Sequence, residues 1–240
     1  MTLFGLWFGG CRSEEKQLPA PEPVSTGRGV IRGTVSFDGD MVPPAPGIQM
    51  GADPNCARLH SEPVLNELVV VGEGNGLGNV FVYVKEGLAG RTFAPPEGSV
   101  TIEQQGCLYH PHVIGVRAGQ TLRIVNGDET LHNIHAFAKQ NKEFNIGQPV
   151  KGLVTERVFD VPEVMIPVRC DVHKWMNAYL GVVDHPFFAV TAPDGRFELT
   201  GLPAGSYVVE AWHEQYGLRQ TSLTLGDDET RSIAFSFGAE

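Results

Sequence analysis

Val168-Arg-Cys170-Asp-Val-His173-Lys-Trp-Met176-Asn-Ala-Tyr-Leu-Gly-Val-Val183 is the stretch on which the reading of this chain turns. A thiol, an imidazole and a thioether stand three residues apart in turn, and an apolar run closes the segment. Successive side chains of a regular strand point to opposite faces, so a strand cannot aim all three at one point. A short loop between strands can. Each residue alone has a bland explanation, because a single cysteine is most often a small buried hydrophobe and a single His or Met in a loop is usually packing or solvation. Together with a second imidazole from another strand, a set at this spacing makes coincidence improbable.

Upstream, Tyr109-His-Pro111-His-Val-Ile-Gly-Val116-Arg-Ala-Gly119-Gln-Thr-Leu-Arg-Ile-Val-Asn126 reads as two strands around a turn, followed by Leu131-His132-Asn133-Ile134. His132 and His135 are three apart, so on a strand they face opposite sides and cannot both reach one site. The order His-Asn, strand, Cys-x2-His-x2-Met, strand over roughly residues 98–184 resembles a cupredoxin, similar to plastocyanins and amicyanins, with the loop spacing of amicyanin. The resemblance implies a Greek-key β-sandwich holding one type-1 copper ion through His132, Cys170, His173 and Met176. His132 is preferred over His135 because Asn133 follows it, and that asparagine is expected to tie the ligand loop in place. The chemistry agrees: two imidazoles, a thiolate and a weak axial thioether suit both Cu(I) and Cu(II). The resemblance further implies a single-electron carrier rather than an enzyme, since four protein ligands leave no open position for a substrate. Arg169 and Asp171 flank the cysteine where multicopper oxidases place histidines. Electrons are expected to pass through His173 near the surface, with Trp175 and Phe137 as candidates for an apolar patch around it. The implied partner is a redox protein such as a cytochrome or membrane oxidase. Copper delivery or storage, and an envelope binding module with structural copper, are the alternatives. A polysaccharide-cleaving enzyme finds no carboxylate pair.

Further along, Asp194-Gly195-x-Phe197-x-Leu199-x-Gly201-Leu202-Pro203-x-Gly205-x-Tyr207 resembles the carboxypeptidase regulatory-like (transthyretin-like) β-sandwich. Its opening strands are expected far upstream, at Gly29–Phe37 and at 79–85. Residues 28–96 and 186–240 would then form one split sandwich with the copper domain, 97–185, inserted. Two consecutive sandwiches sharing an edge is the other arrangement. Either way the fold class is all-β, in keeping with 29 Gly and 17 Pro among 240 residues and Val-rich runs between turns.

The glycines at 72, 74, 76 and 78 lack the G-x-G-x-x-G spacing of a dinucleotide site and lead into a strand, not a helix. A net charge of −10 argues against nucleic acid as a partner. The apolar run at residues 3–10 ends at Cys11 and resembles a bacterial lipoprotein signal, truncated, with Cys11 as the acylated residue; the Pro-rich stretch 12–27 reads as a tether. The expected location is the bacterial cell envelope, with membrane contact through a lipid anchor only. In a chain that looks exported, Cys56 and Cys107 read as a disulfide. Cys56 with His60, His110 and His112 is the competing reading, a second metal site, and His135 reads as a surface residue. His185 and His213 read as structural.

Overall fold

The computed structural model describes residues 27–39 and 42–238 and is all-β. Cys11 and the tether lie outside the described residues. The strands are β1 (Gly29–Phe37), β2 (Phe81–Glu86), β3 (Ser99–Gln105), β4 (Leu108–His110), β5 (Val113–Arg117), β6 (Thr121–Asn126), β7 (His132–Ala136) and β8 (Phe144–Gln148). They continue with β9 (Val154–Val158), β10 (Glu163–Arg169), β11 (Asn177–Val183), β12 (Phe188–Val190), β13 (Arg196–Leu202), β14 (Gly205–His213), β15 (Gly217–Leu225) and β16 (Thr230–Phe237). The stretch from Tyr109 to Asn126 thus holds three strands, not two, because the chain leaves β4 at His110-Pro111 before β5 begins.

The sheets sort by chain segment. Strands from the two ends of the chain form a three-stranded sheet, β13-β1-β16, and a four-stranded sheet, β12-β2-β14-β15. Ile31, Val35, Phe197, Leu199 and Phe235 from the first meet Val82, Val84, Val209 and Ala211 from the second in one buried core. The middle strands form a five-stranded sheet, β5-β11-β10-β7-β8, and a four-stranded sheet, β4-β3-β6-β9. Ile102, Leu122 and Ile124 pack there against Ile134, Ile166, Val168 and Leu180. Turn chemistry explains the local geometry. Gly195 adopts a φ of +70° between the sheets, and the Tyr207 hydroxyl donates to the Pro203 carbonyl at 2.6 Å, folding the Gly-Leu-Pro-x-Gly-x-Tyr string back on itself.

β2 is apolar on both faces because it serves two cores. Val82 and Val84 enter the end-strand core, while Phe81 and Tyr83 join Val113, Met165 and Val183 in a third cluster between the two sandwiches. Gly115 and Gly181 are register partners on β5 and β11, and they leave a slot for the Phe81 ring. A Cβ at Gly181 would stand 2.6 Å from the Phe81 ring, and one at Gly115 2.9 Å from it. Phe188 stacks on Phe81 with centroids 5.7 Å apart. The two glycines therefore set how closely the sandwiches approach.

Candidate metal centre

The loop joining β10 to β11 carries Cys170, His173 and Met176. Two backbone bonds shape it: Cys170 N–H donates to the Met176 carbonyl at 3.1 Å, and Met176 N–H to the His173 carbonyl at 2.9 Å. The turn aims Cys170 and His173 at His132, the first residue of β7. The Nδ1 atoms of His132 and His173 are 3.0 Å apart, and Cys170 Sγ is 3.8 Å from His173 Nδ1. These three donor atoms lie within 4.8 Å of one another, and their residues are at most 2% exposed. Met176 is 1% exposed in the same core as Cys170. Among the described residues Cys170 is the free cysteine.

Asn133, next to His132 on β7, holds the loop. Its Oδ1 accepts from the Asp171 N–H at 2.6 Å and the Val172 N–H at 3.2 Å, and from the Cys170 thiol at 3.3 Å. His135 faces away, where it binds Glu143 at 2.8 Å and Asp171 at 3.1 Å and stacks on Phe137. Phe137 therefore belongs to the His135 side and not to a patch around His173.

Both imidazoles, of His132 and His173, have their outer nitrogen held by a carboxylate. His132 Nε2 donates to Asp128 Oδ2 at 2.9 Å. Asp128, 4% exposed, also accepts from the N–H groups of Gly106 at 2.9 Å and Cys107 at 2.7 Å. Gly106 and Cys107 form the two-residue turn between β3 and β4, with φ of +61° and +55°. A positive φ is costly for a cysteine, and the carboxylate is one of the contacts that hold it there. His173 Nε2 donates to Asp53 Oδ2 at 2.9 Å, while Asp53 Oδ1 caps the short helix α1 (Pro54–Ala57) through Asn55 N–H at 2.8 Å. With Nε2 protonated and engaged, the Nδ1 of each ring is left to face the cysteine.

Charge follows this geometry. Burial pushes the Cys170 thiol up, but the His132 imidazole and nearby backbone N–H groups outweigh it and hold the thiol below its ordinary value. Burial likewise disfavours charge on His132, yet Asp128 and Cys170 raise it overall. Burial raises the Asp128 carboxyl, and His132 with the two turn N–H groups more than reverses this. Asp53 is lowered chiefly by its bond to His173. A cysteine thiol held below its ordinary value, two imidazoles whose inner nitrogens face it and a buried thioether match the donor set of a soft, redox-active metal such as copper.

Cys56 and Cys107 are bonded to each other, tying α1 to the β3–β4 turn. His173 is 2% exposed, and the expectation of a surface histidine does not hold. A strap formed by residues 42–66 closes over it. Gly47 bridges to Leu65, Ile48 N–H reaches the Val64 carbonyl at 2.7 Å, and Met50 and Cys56 enter the core below. Trp175 closes the other side, its ring 5.0 Å from the His173 ring and its indole N–H on the Cys107 carbonyl at 3.0 Å. The second metal site drawn from Cys56, His60, His110 and His112 is not assembled. His60 bonds the Gly106 carbonyl at 2.8 Å, His110 is exposed, and buried His112 pairs with Glu214. His185 and His213 are buried, and each accepts a backbone N–H through Nδ1.

Asp128 and Asp53 escaped sequence reasoning. Asp128 stands four residues before His132, a spacing that a reader checking loop carboxylates around each ligand can find. Asp53 has no sequence signal, because the fold alone brings it to His173.

No family model matches the chain, and no curated protein matches it. Solved structures match it in part. A Cu-containing nitrite reductase from Thermus scotoductus SA-01 aligns at 19% identity and a TM-score of 0.35, over 42% of this chain and 26% of that one. A purple cupredoxin from Nitrosopumilus maritimus aligns at 22% identity and a TM-score of 0.31, over 35% of this chain and 99% of that one. An oxidized mutant of amicyanin aligns at 18% identity and a TM-score of 0.32, over 42% of this chain and 97% of that one.

Proposed function

We propose that the chain binds one copper ion through His132 Nδ1, Cys170 Sγ, His173 Nδ1 and the Met176 thioether, and that it carries single electrons between redox proteins. The observation that carries this reading is the convergence of two imidazole nitrogens and a depressed thiol within 4.8 Å, all buried. Copper in such a set supplies a one-electron couple with little change of ligand. The chain's own residues do the rest. Asp128 and Asp53 orient the two rings, Asn133 holds the cysteine loop, and the strap keeps water off the site. A carrier gains from such rigidity because its ligands need not rearrange on oxidation. Metal delivery would need a looser loop, and the bonds on Asn133 and Asp53 oppose that.

The end-strand sandwich, with its Asp194-to-Tyr207 string, fits a transthyretin-like support for the copper unit. An envelope location with a lipid on Cys11 completes the proposal, together with a redox partner that approaches over the strap or Trp175.

The test is a visible spectrum of the Cu(II)-loaded protein followed by cycles of reduction and reoxidation. An intense thiolate-to-copper band that returns after each cycle, and is absent in Cys170→Ser, is the expected result. A colourless protein, or one that bleaches without recovery, sinks the reading.

A further inference from the structure

The outer edge of His173 faces a second set of donors. Cys56 Sγ lies 3.4 Å from His173 Nε2, and both sulfurs of the Cys56–Cys107 pair fall within 4.8 Å of that ring's donor nitrogen and of each other. The three residues are 0%, 0% and 2% exposed. Asp53 Oδ2, 2.9 Å from the same nitrogen, adds an oxygen at the rim. One imidazole therefore separates two donor clusters: Nδ1 looks toward His132 and Cys170, and Nε2 toward the disulfide. A bonded disulfide offers a metal only weak donors, whereas two thiolates and an imidazole are a strong soft set.

We propose that reduction of Cys56–Cys107 turns this pocket into a second metal site, in which the two thiolates and His173 Nε2 hold one Cu(I). Cu(I) is the fitting ion because it prefers thiolates, and the conditions that open the disulfide also keep copper reduced. The chemistry balances with a dithiol or phosphine reductant. Two electrons and two protons break the S–S bond and give two thiols. The dithiol leaves as its own disulfide, or the phosphine leaves as its oxide with oxygen from water. Cu(I) then displaces both thiol protons to solvent. His173 moves its Nε2 proton to Nδ1, or releases it when the first metal occupies Nδ1. The sulfurs must separate to flank the ion, and α1 can carry that motion. It is four residues long, and Asn55, Ala57, Arg58 and Leu59 around Cys56 are exposed. The thiol state of the pair would thus decide whether the pocket accepts metal. This goes beyond the electron-carrier reading and uses the opposite edge of the ring.

The test uses the full chain carrying Cys170→Ser, which removes the thiolate of the first site. Oxidised and phosphine-reduced samples are titrated with Cu(I) against a coloured Cu(I) chelator without oxygen, and circular dichroism follows the fold. The expected result is one equivalent of Cu(I) bound by the reduced form, on the order of 100-fold tighter than by the oxidised form. Thiolate-to-Cu(I) ultraviolet absorption should appear, and both thiols should resist alkylation once copper is bound. Equal affinity in the two forms, or thiols alkylated at the same rate with and without Cu(I), overturns the proposal. So does loss of the native spectrum on reduction that Cu(I) fails to restore. Failure of the first copper site is read separately, from the visible band of the oxidised wild type.

Discussion

Replacing Asp128 by Asn tests how far the metal centre is built before any metal arrives. The carboxylate accepts three hydrogen bonds, from His132 Nε2 at 2.9 Å, Gly106 N–H at 2.9 Å and Cys107 N–H at 2.7 Å, and it is 4% exposed. An amide keeps one acceptor oxygen and turns its NH2 toward a group that is itself a donor. His132 and Cys107 both bond Oδ2 and Gly106 bonds Oδ1, so an amide oxygen at the Oδ2 place keeps two bonds and loses one charge-assisted bond, and Asp128→Asn should cost about 1.5–3 kcal/mol in the metal-free protein. Against a total stability of about 5–15 kcal/mol that is a large share. The assay is urea unfolding of the metal-free variant beside Glu129→Gln, its exposed neighbour, which should stay within about 0.5 kcal/mol of wild type. Copper affinity, by chelator competition, should fall about 10–100-fold as His132 loses its charged partner. An Asp128→Asn protein as stable as Glu129→Gln, with unchanged copper affinity, would refute the reasoning.

Asn133→Ala frees two loop N–H groups and should weaken copper binding about 10–100-fold, measured by the same competition. Phe81→Ala should destabilise by about 3–5 kcal/mol, since the ring is fully buried in the slot between the sandwiches. Thermal unfolding that shows no loss would mean the interface does not couple them. Burial holds His213 down to about 4, below an ordinary 6.5, with Nε2 lacking a hydrogen-bond partner among the described residues. The unfolded chain therefore takes up this proton first as pH falls. The stability from neutral His213 is complete above pH 6.5 and lost between 6.5 and 4, by about 3 kcal/mol in all. His213→Phe should remove that part of the slope in denaturant midpoints taken from pH 7.5 to 4. An unchanged slope would place the titration elsewhere.

What the sequence made legible was local. Cys170, His173 and Met176 lie within one short segment, and the resemblance to cupredoxins, through the Asn after His132, singled out that histidine as their companion. The all-β class followed from alternation and turn residues. The cover over His173 was not legible, because Asp53 and Cys56 belong to a strap far away in sequence whose composition is that of an ordinary loop. Val80 to Val84 is apolar at every position, but nothing in the sequence says what each face meets. A strand between two cores and a strand deep in one read alike until the Gly115–Gly181 slot is seen. Phe137 was misplaced because it sits two residues past His135 and follows that ring to the other side of β7.

The pairing of β1 carries a consequence for synthesis. Its neighbours are β13 and β16, with Thr34 opposite Arg196 and Phe37 beside Phe237. The middle sheets need nothing beyond Val183 to close, while β1, bridged early only at Ser36 by Gly76, waits for β13 and β16. At ~5–20 residues per second, the wait from Phe37 to Arg196 lasts on the order of 10–30 s. An exposed edge of Val-Ile-Arg-Gly-Thr-Val is a template for other chains during that time. Arg32 on β1 is exposed and sits mid-strand, where a charge makes such pairing less favourable. Nascent chains should therefore be most aggregation-prone while the middle sheets are already complete, and least once the last strand emerges.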